Sequence, residues 1–311
     1  MTTTKDLTVW DVLEQQLRTE IALTWNPEGP VVLAIDSEKG GVGKSGLAGG
    51  LIAVMAASGR RVLGIDLDPR ATLTAELGAD TESLLKELGE EGPEATQYGV
   101  NDLLYEDREA DPDDLPQLSG LAEVALRPAS KAWGNNVRVL AAERALANRE
   151  DDNATPALEH RLRISLEGVA EQFDLVVIDL PPRAGGKLVG AGLLAATHVL
   201  FPGTLNEDGL VGVRDAMRTY KFMARANPTK LRRVGVLRNI VEPKTKLAKY
   251  YDDKFSEEFG AEVITTAVPK RVIRQEARGA CVPITAAADK SDAKDLINSY
   301  TRVLNAVGSA V

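Results

Sequence analysis

Glu38-Lys39-Gly40-Gly41-Val42-Gly43-Lys44-Ser45 decides how this 311-residue chain is read. The five apolar residues before it, Val31 to Ile35, predict a buried strand. Gly46 to Ser58 after it is rich in Ala and Leu and predicts a helix. A Gly-rich turn between a strand and a helix N-terminus is a phosphate-binding arrangement. Glycines let backbone N–H groups approach the anion, and the helix dipole favours negative charge there. The spacing assigns Lys44 to the β- and γ-phosphates of a nucleotide and the Ser45 hydroxyl to Mg²⁺. The usual phosphate-loop pattern has Gly where this chain has Glu38. What fits without exception is a variant, Lys-Gly-Gly-x-Gly-Lys-Ser/Thr, whose additional lysine is Lys39.

Two further stretches end apolar strands in carboxylates. Arg61-Val62-Leu63-Gly64-Ile65-Asp66-Leu67-Asp68-Pro69 delivers two of them, two residues apart. Side chains alternate along a strand, so Asp66 and Asp68 share a side only if the strand runs on to Asp68. Phe173-Asp174-Leu175-Val176-Val177-Ile178-Asp179-Leu180-Pro181-Pro182 has four consecutive apolar residues before Asp179, as a central parallel strand should. In an open parallel sheet, ligands bind at that end of the strands.

On these three motifs the chain resembles the ParA/MinD group of deviant Walker-type ATPases, and most of all the ParA DNA-partition proteins. The resemblance runs from about Val31 to about Val307. It implies a doubly wound α/β fold, with a mostly parallel sheet and helices on both faces, and ATP with Mg²⁺ as the ligands. It implies that Lys39, Gly40, Gly41, Val42, Gly43, Lys44, Ser45, Gly46 and Pro269 bind the nucleotide. Ser45, Asp66 and Asp179 would serve the metal, Asp66 and Asp179 through water. Asp68 would position or activate the attacking water. Lys39 would cross to the phosphates of a second subunit, which makes the homodimer ATP-dependent and leaves Lys39, Lys44 and Asp68 as the catalytic set. Two departures stand out: Arg70, where the family usually has Gln, and Arg183-Ala184-Gly185-Gly186, where it has small residues after the two prolines.

Composition narrows the alternatives. With 44% hydrophobic residues the chain can bury a sizeable core. Cys281 is the sole cysteine, which excludes a disulfide framework or a Cys-based cluster within one chain and argues against the iron-protein relatives of the group. No apolar run reaches the ~18 residues of a membrane span, and Met1 to Lys5 lacks the features of a secretory signal, so a cytoplasmic protein is expected.

Residues 1–30 are read as an N-terminal helical extension and 31–311 as one ATPase domain. Val9, Leu13, Leu17 and Ile21 recur at helical spacing, with Thr8 as N-cap. Glu106 to Asn136 reads as surface loop with one short element, and Pro156 to Glu171 as a crossover helix. Beyond Asp179, strands over His198–Pro202, Arg233–Ile240 and Glu262–Val268 alternate with helices over Glu207–Arg225, Thr245–Phe259 and Ser291–Ala306. His160 and His198 read as structural.

The charge is segregated. Residues 214–278 hold sixteen Lys or Arg against eight Asp or Glu, a net +8 inside a chain of net −9. A basic patch without base-reading geometry binds phosphates irrespective of sequence. By resemblance, Lys244, Lys270, Arg271 and Arg274 would hold non-specific DNA, and a ParB-type centromere-binding partner would stimulate hydrolysis. The runner-up is a positioning ATPase whose cargo is a protein assembly or transfer machinery. Membrane targeting of the MinD kind is not expected, because Tyr300 to Gly308 carries a single Arg and no Phe or Trp.

Overall fold

The computed structural model describes residues 9–25, 29–89, 96–106, 117–226, 231–242 and 245–310. Strands β1 (Val31–Ile35), β2 (Val62–Asp66), β3 (Leu126–Pro128), β4 (Val137–Leu140), β5 (Leu175–Asp179), β6 (His198–Gly203), β7 (Arg232–Val241) and β8 (Val263–Pro269) form one eight-stranded sheet. The order is β3-β4-β2-β5-β1-β6-β7-β8, and every pairing is parallel except β3 with β4. The order turns back on either side of β1, where crevices open at the C-terminal ends of the strands.

The five residues of β1 are all buried, because both faces are covered. Val31, Leu33 and Ile35 join one apolar core, and Val32 and Ala34 the other. The first core is closed by α2 (Lys44–Ala57), α11 (Ser291–Ala310) and α1 (Val9–Thr24); the second by α7 (Lys187–Ala195) and α8 (Glu207–Ala226). Helix α2 is apolar almost all round, as a helix packed between a sheet and other helices must be. Leu51 within it is fully buried, and its truncation to Ala costs about 2–5 kcal/mol. Helix α1 packs on α2 and α11 through Leu17, and Trp25 after it donates from Nε1 to the Asp174 carbonyl at 3.2 Å. The expected cap at Thr8 lies outside the described residues.

The remaining helices are α3 (Thr72–Glu76), α4 (Thr81–Leu88), α5 (Val100–Leu104), α6 (Leu158–Ser165), α9 (Lys246–Phe259) and α10 (Val272–Gly279). Several expectations shift here. The crossover helix α6 stops at Ser165, and Gly168 at φ 77 turns the chain before a short 3-10 turn at Ala170–Gln172. The segment read as loop with one element carries edge strand β3, which ends at Pro128, and 3-10 turns on either side of it. Helices α3, α4, α7 and α10 fall where no helix was expected. No described helix is long and apolar enough to cross a membrane. His198 is buried at the start of β6, its Nδ1 2.9 Å from the Thr197 hydroxyl, in keeping with a structural role.

Candidate functional site

The loop between β1 and α2 is shaped by two glycines. Gly41 and Gly43 both have φ 81, a left-handed conformation that a Cβ strains. At Gly43 space is a second constraint: a Cβ would come within 2.6 Å of Ile240 Cδ1 and 2.9 Å of Asn239 Nδ2. Asn239 uses that closeness, donating from Nδ2 to the Val42 carbonyl at 2.8 Å, so β7 fixes the loop from behind. Lys44 opens α2, and its ammonium folds back to the Ser37 carbonyl at 2.8 Å and the Lys39 carbonyl at 3.5 Å. Only 7% of Lys44 is exposed. Burial pulls its pKa down, while the charges of Asp179, Asp36 and Asp68 hold it up.

Four carboxylates face this lysine or each other. Asp66 and Asp179 are paired in register at the C-terminal ends of β2 and β5. Asp66 accepts from the Thr74 amide at 2.8 Å and the Thr74 hydroxyl at 2.9 Å on one oxygen, and from the Asp68 amide at 3.0 Å on the other. Burial still raises its pKa to about 6 against those hydrogen bonds. Asp179 is raised well above the ordinary range, first by burial and then by Asp66, with the Ser45 hydroxyl and Lys44 opposing. Neither Asp179 oxygen has a hydrogen bond of good geometry. Two buried oxygens without full satisfaction, next to a serine hydroxyl, are an all-oxygen donor set that suits a hard divalent cation keeping some of its waters. The residues therefore fit the expected Mg²⁺.

Asp68 is not on the strand. β2 stops at Asp66, and a turn, not strand alternation, brings the Asp68 amide onto the Asp66 carboxylate. Its own carboxylate, 4% exposed, is clamped by Arg70, with Nε at 3.1 Å and Nη2 at 2.7 Å from Oδ2. The residue that departs from the family thus sits directly on the group expected to handle water.

Asp36 is a member of the site that the sequence reading missed. It follows β1, is fully buried, and neither oxygen has a hydrogen-bond partner. Burial pushes its pKa up to about 7, with Lys44 lowering it and Glu38 raising it. The available signal was a carboxylate directly between an apolar strand and the phosphate loop.

Lys39 turns away from its own loop. Its Nζ lies 3.5 Å from Asp208 Oδ1 on α8, and 43% of its side chain is exposed. The stem crosses Gly212, where a Cβ would meet Lys39 Cγ at 2.8 Å. Pro269, at the end of β8, shares with Gly43, Asn239, Ile240, Gln275 and Arg278 a cavity of about 170 Å³ beside the loop.

The basic candidates do not form one group. Lys244 lies outside the described residues. Lys270 is half exposed and paired with Glu242; Arg271 is paired with Asp292 at 3.3 Å and Asp295 at 2.9 Å. Arg274, expected beside them on the DNA face, is instead turned inward, 13% exposed, onto Glu76 and the Gly46 carbonyl. The helix itself explains it: Arg271 is the extended cap that precedes α10, whereas Arg274 lies within the helix between buried Ile273 and Ala277 and reaches Gly49 and Gly46 of α2. Lys246, Leu247, Lys249 and Tyr250 on α9 are also exposed, and the sequence had not singled them out.

Comparison with known proteins is consistent with this geometry. An AAA domain family model matches residues 31–232. The sporulation initiation inhibitor protein Soj of Bacillus subtilis is 28% identical over 253 residues, covering 81% of this chain and 89% of its own. The chromosome-partitioning ATPase Soj of Thermus thermophilus is 29% identical over 245 residues, covering 79% and 83%. Among solved structures, cobyrinic acid a,c-diamide synthase from Mycobacterium smegmatis, with bound ATP analog and magnesium, superposes with a TM-score of 0.63 at 25% identity, covering 84% of this chain and 93% of that one.

Proposed function

Since the chain belongs to the AAA domain family and, within it, to the ParA-type ATPases, we propose that it is an ATP-driven dimerising switch that segregates plasmid or chromosomal DNA. ATP with Mg²⁺ would occupy the β1–α2 loop, and the match to a synthase solved with an ATP analog and magnesium supports that choice. Bound magnesium would offset charge on the phosphates. The loop amides and Lys44 bind and orient the β- and γ-phosphates. Asp66 and Asp179 would hold Mg²⁺ through water. Asp68, once Arg70 lets go of it, orients the attacking water. Pro269 would complete the nucleotide site.

The observation that carries the dimer is the direction of Lys39. Its side chain is partly exposed, and its ammonium reaches α8 rather than its own loop. A cation placed there acts on developing phosphoryl charge only across an interface with a second copy. The ATP-bound homodimer would hold non-specific DNA with Lys270, Arg271 and Lys244, in a cytoplasmic, nucleoid-associated cycle. A ParB-type partner would stimulate hydrolysis and release it.

Light scattering of the 33.3 kDa chain tests the switch. The wild type should double its mass with ATP and Mg²⁺ and remain a monomer with ADP, and Lys39→Ala should remain a monomer in both. A wild type that stays monomeric with ATP contradicts the reading.

A further inference from the structure

Helix α2 contains Gly46, Gly49 and Gly50 within its first two turns, although glycine is among the poorest helix formers. What they make room for is specific. A Cβ at Gly49 would fall 1.9 Å from Glu76 Oε1 and 2.9 Å from Arg274 Nη2, and one at Gly50 would fall 2.4 Å from the Tyr300 ring. The glycines open a slot in which three side chains from three other helices meet: Glu76 of α3, Arg274 of α10 and Tyr300 of α11.

Arg274 is the centre of that slot. Its Nε and Nη2 donate to the Gly46 carbonyl at 3.2 and 2.6 Å, and Nη2 also pairs with Glu76. Glu76 is 1% exposed. Taking such a pair out of water is expensive, and apolar residues of similar size are often as stable, so stability alone does not account for it. Its connections offer another account. Gly46 follows Ser45, at the end of α2 that the phosphates would meet. Two residues before Glu76, Thr74 holds the Asp66 carboxylate, and α3 itself begins just after the Asp68–Arg70 clamp. A second tie, Cys281 Sγ to the Ala75 carbonyl at 3.2 Å, joins the far end of α10 to α3. At the near end of α10 stand Lys270 and Arg271.

We propose that Arg274 is a positioning residue that couples the nucleotide site to α10, so that occupation of the β1–α2 loop and movement of the Asp66–Asp68 turn reset the helix behind Lys270 and Arg271. This rests on the reading of the loop as an ATP site. It assigns Arg274 to the inside of the switch and not to contact with DNA. The linkage works in both directions: a ligand on the α10 face would alter nucleotide affinity by the factor by which nucleotide alters affinity there.

Amide hydrogen exchange over residues 272–279, with and without saturating ATP and Mg²⁺, reads the coupling without depending on hydrolysis or DNA. A separate ATP titration establishes occupation in every sample; a wild type that does not bind ATP refutes the ATP-site reading and the coupling with it. In the wild type, ATP should slow exchange in α10 by about tenfold or more. In Arg274→Gln combined with Glu76→Gln, which leaves no unpaired buried charge, ATP should still bind but slow exchange by less than about twofold. If that pair of substitutions prevents folding, Arg274→Lys, which keeps the charge but not the fork onto Gly46, should show an intermediate effect. ATP binding with equal protection of α10 in wild type and variant overturns the proposal, as does ATP binding that leaves α10 of the wild type unchanged.

Discussion

Asp66 and Asp179 stand side by side at the ends of adjacent parallel strands, in register and both buried, with a raised pKa on each. The pair is unequal: Asp66 is held by Thr74 and the Asp68 amide, whereas no hydrogen bond of good geometry reaches Asp179. The folded protein therefore carries a buried, poorly satisfied carboxyl group where a cation is expected, an arrangement that trades stability for function.

Asp179→Asn should thus stabilise the nucleotide-free protein while abolishing its chemistry. Replacing a poorly satisfied buried carboxyl group with a neutral amide is expected to gain about 1 kcal/mol or more. Magnesium-dependent ATP hydrolysis should fall by about 100-fold or more. Thermal melting and a phosphate-release assay on the same sample check both halves. A lower melting temperature in the variant would contradict the first half.

Asp36 gives the nucleotide-free protein a pH signature. Its folded pKa, about 7, lies above its ordinary value of 3.8. The folded state holds the proton more tightly than the unfolded chain, so this group's contribution to stability is greatest at low pH and is lost as pH rises from about 4 to 7. Lys44 and Glu38 are the charges that face it. Asp36→Asn removes the titration, so its melting temperature relative to wild type should be higher at pH 8 than at pH 5, by about 2 °C or more. A difference that does not change with pH would remove Asp36 from the account.

Arg70 should restrain turnover. It holds Asp68 through two side-chain donors and its own amide, which also donates to Asp68, and would have to release that carboxylate before a water could use it. The side chain is 65% exposed, so the pair is worth only about 1 kcal/mol. Arg70→Gln should accordingly raise the basal ATPase rate about two- to fivefold, since 1.4 kcal/mol corresponds to tenfold. Asp68→Ala should instead leave a protein that dimerises with ATP and turns over little. Equal rates in wild type and Arg70→Gln would mean that the clamp is already open when ATP is bound.

The parts of the site that lie along one strand-loop-helix were legible in the sequence. Glu38 to Ser45 and the carboxylates ending β2 and β5 are local patterns, and the alternation of strands and helices predicted the sheet. What stayed hidden depends on residues far apart in the chain. Arg274 looked like one more surface cation, because its burial against Gly46 and Glu76 exists only once α10 packs on α2 and α3. Asp36 belongs to none of the three motifs, and the Arg70 clamp looked like a mere departure from a pattern. Helix α10 is only eight residues long, too short for its periodicity to stand out between β8 and α11. Likewise the three-residue β3 owes its existence to pairing with β4, not to its own residues.

The central claim is that ATP switches on a DNA-holding dimer, and binding to random-sequence duplex DNA across a salt series, with ATP and with ADP, tests it most directly. The account predicts tight, salt-sensitive binding with ATP, weak binding with ADP, and no sequence preference. Lys244→Ala with Lys270→Ala should lower the salt slope by about one unit per lost phosphate contact. Equal affinity with ATP and ADP, or no binding with either nucleotide, would contradict it.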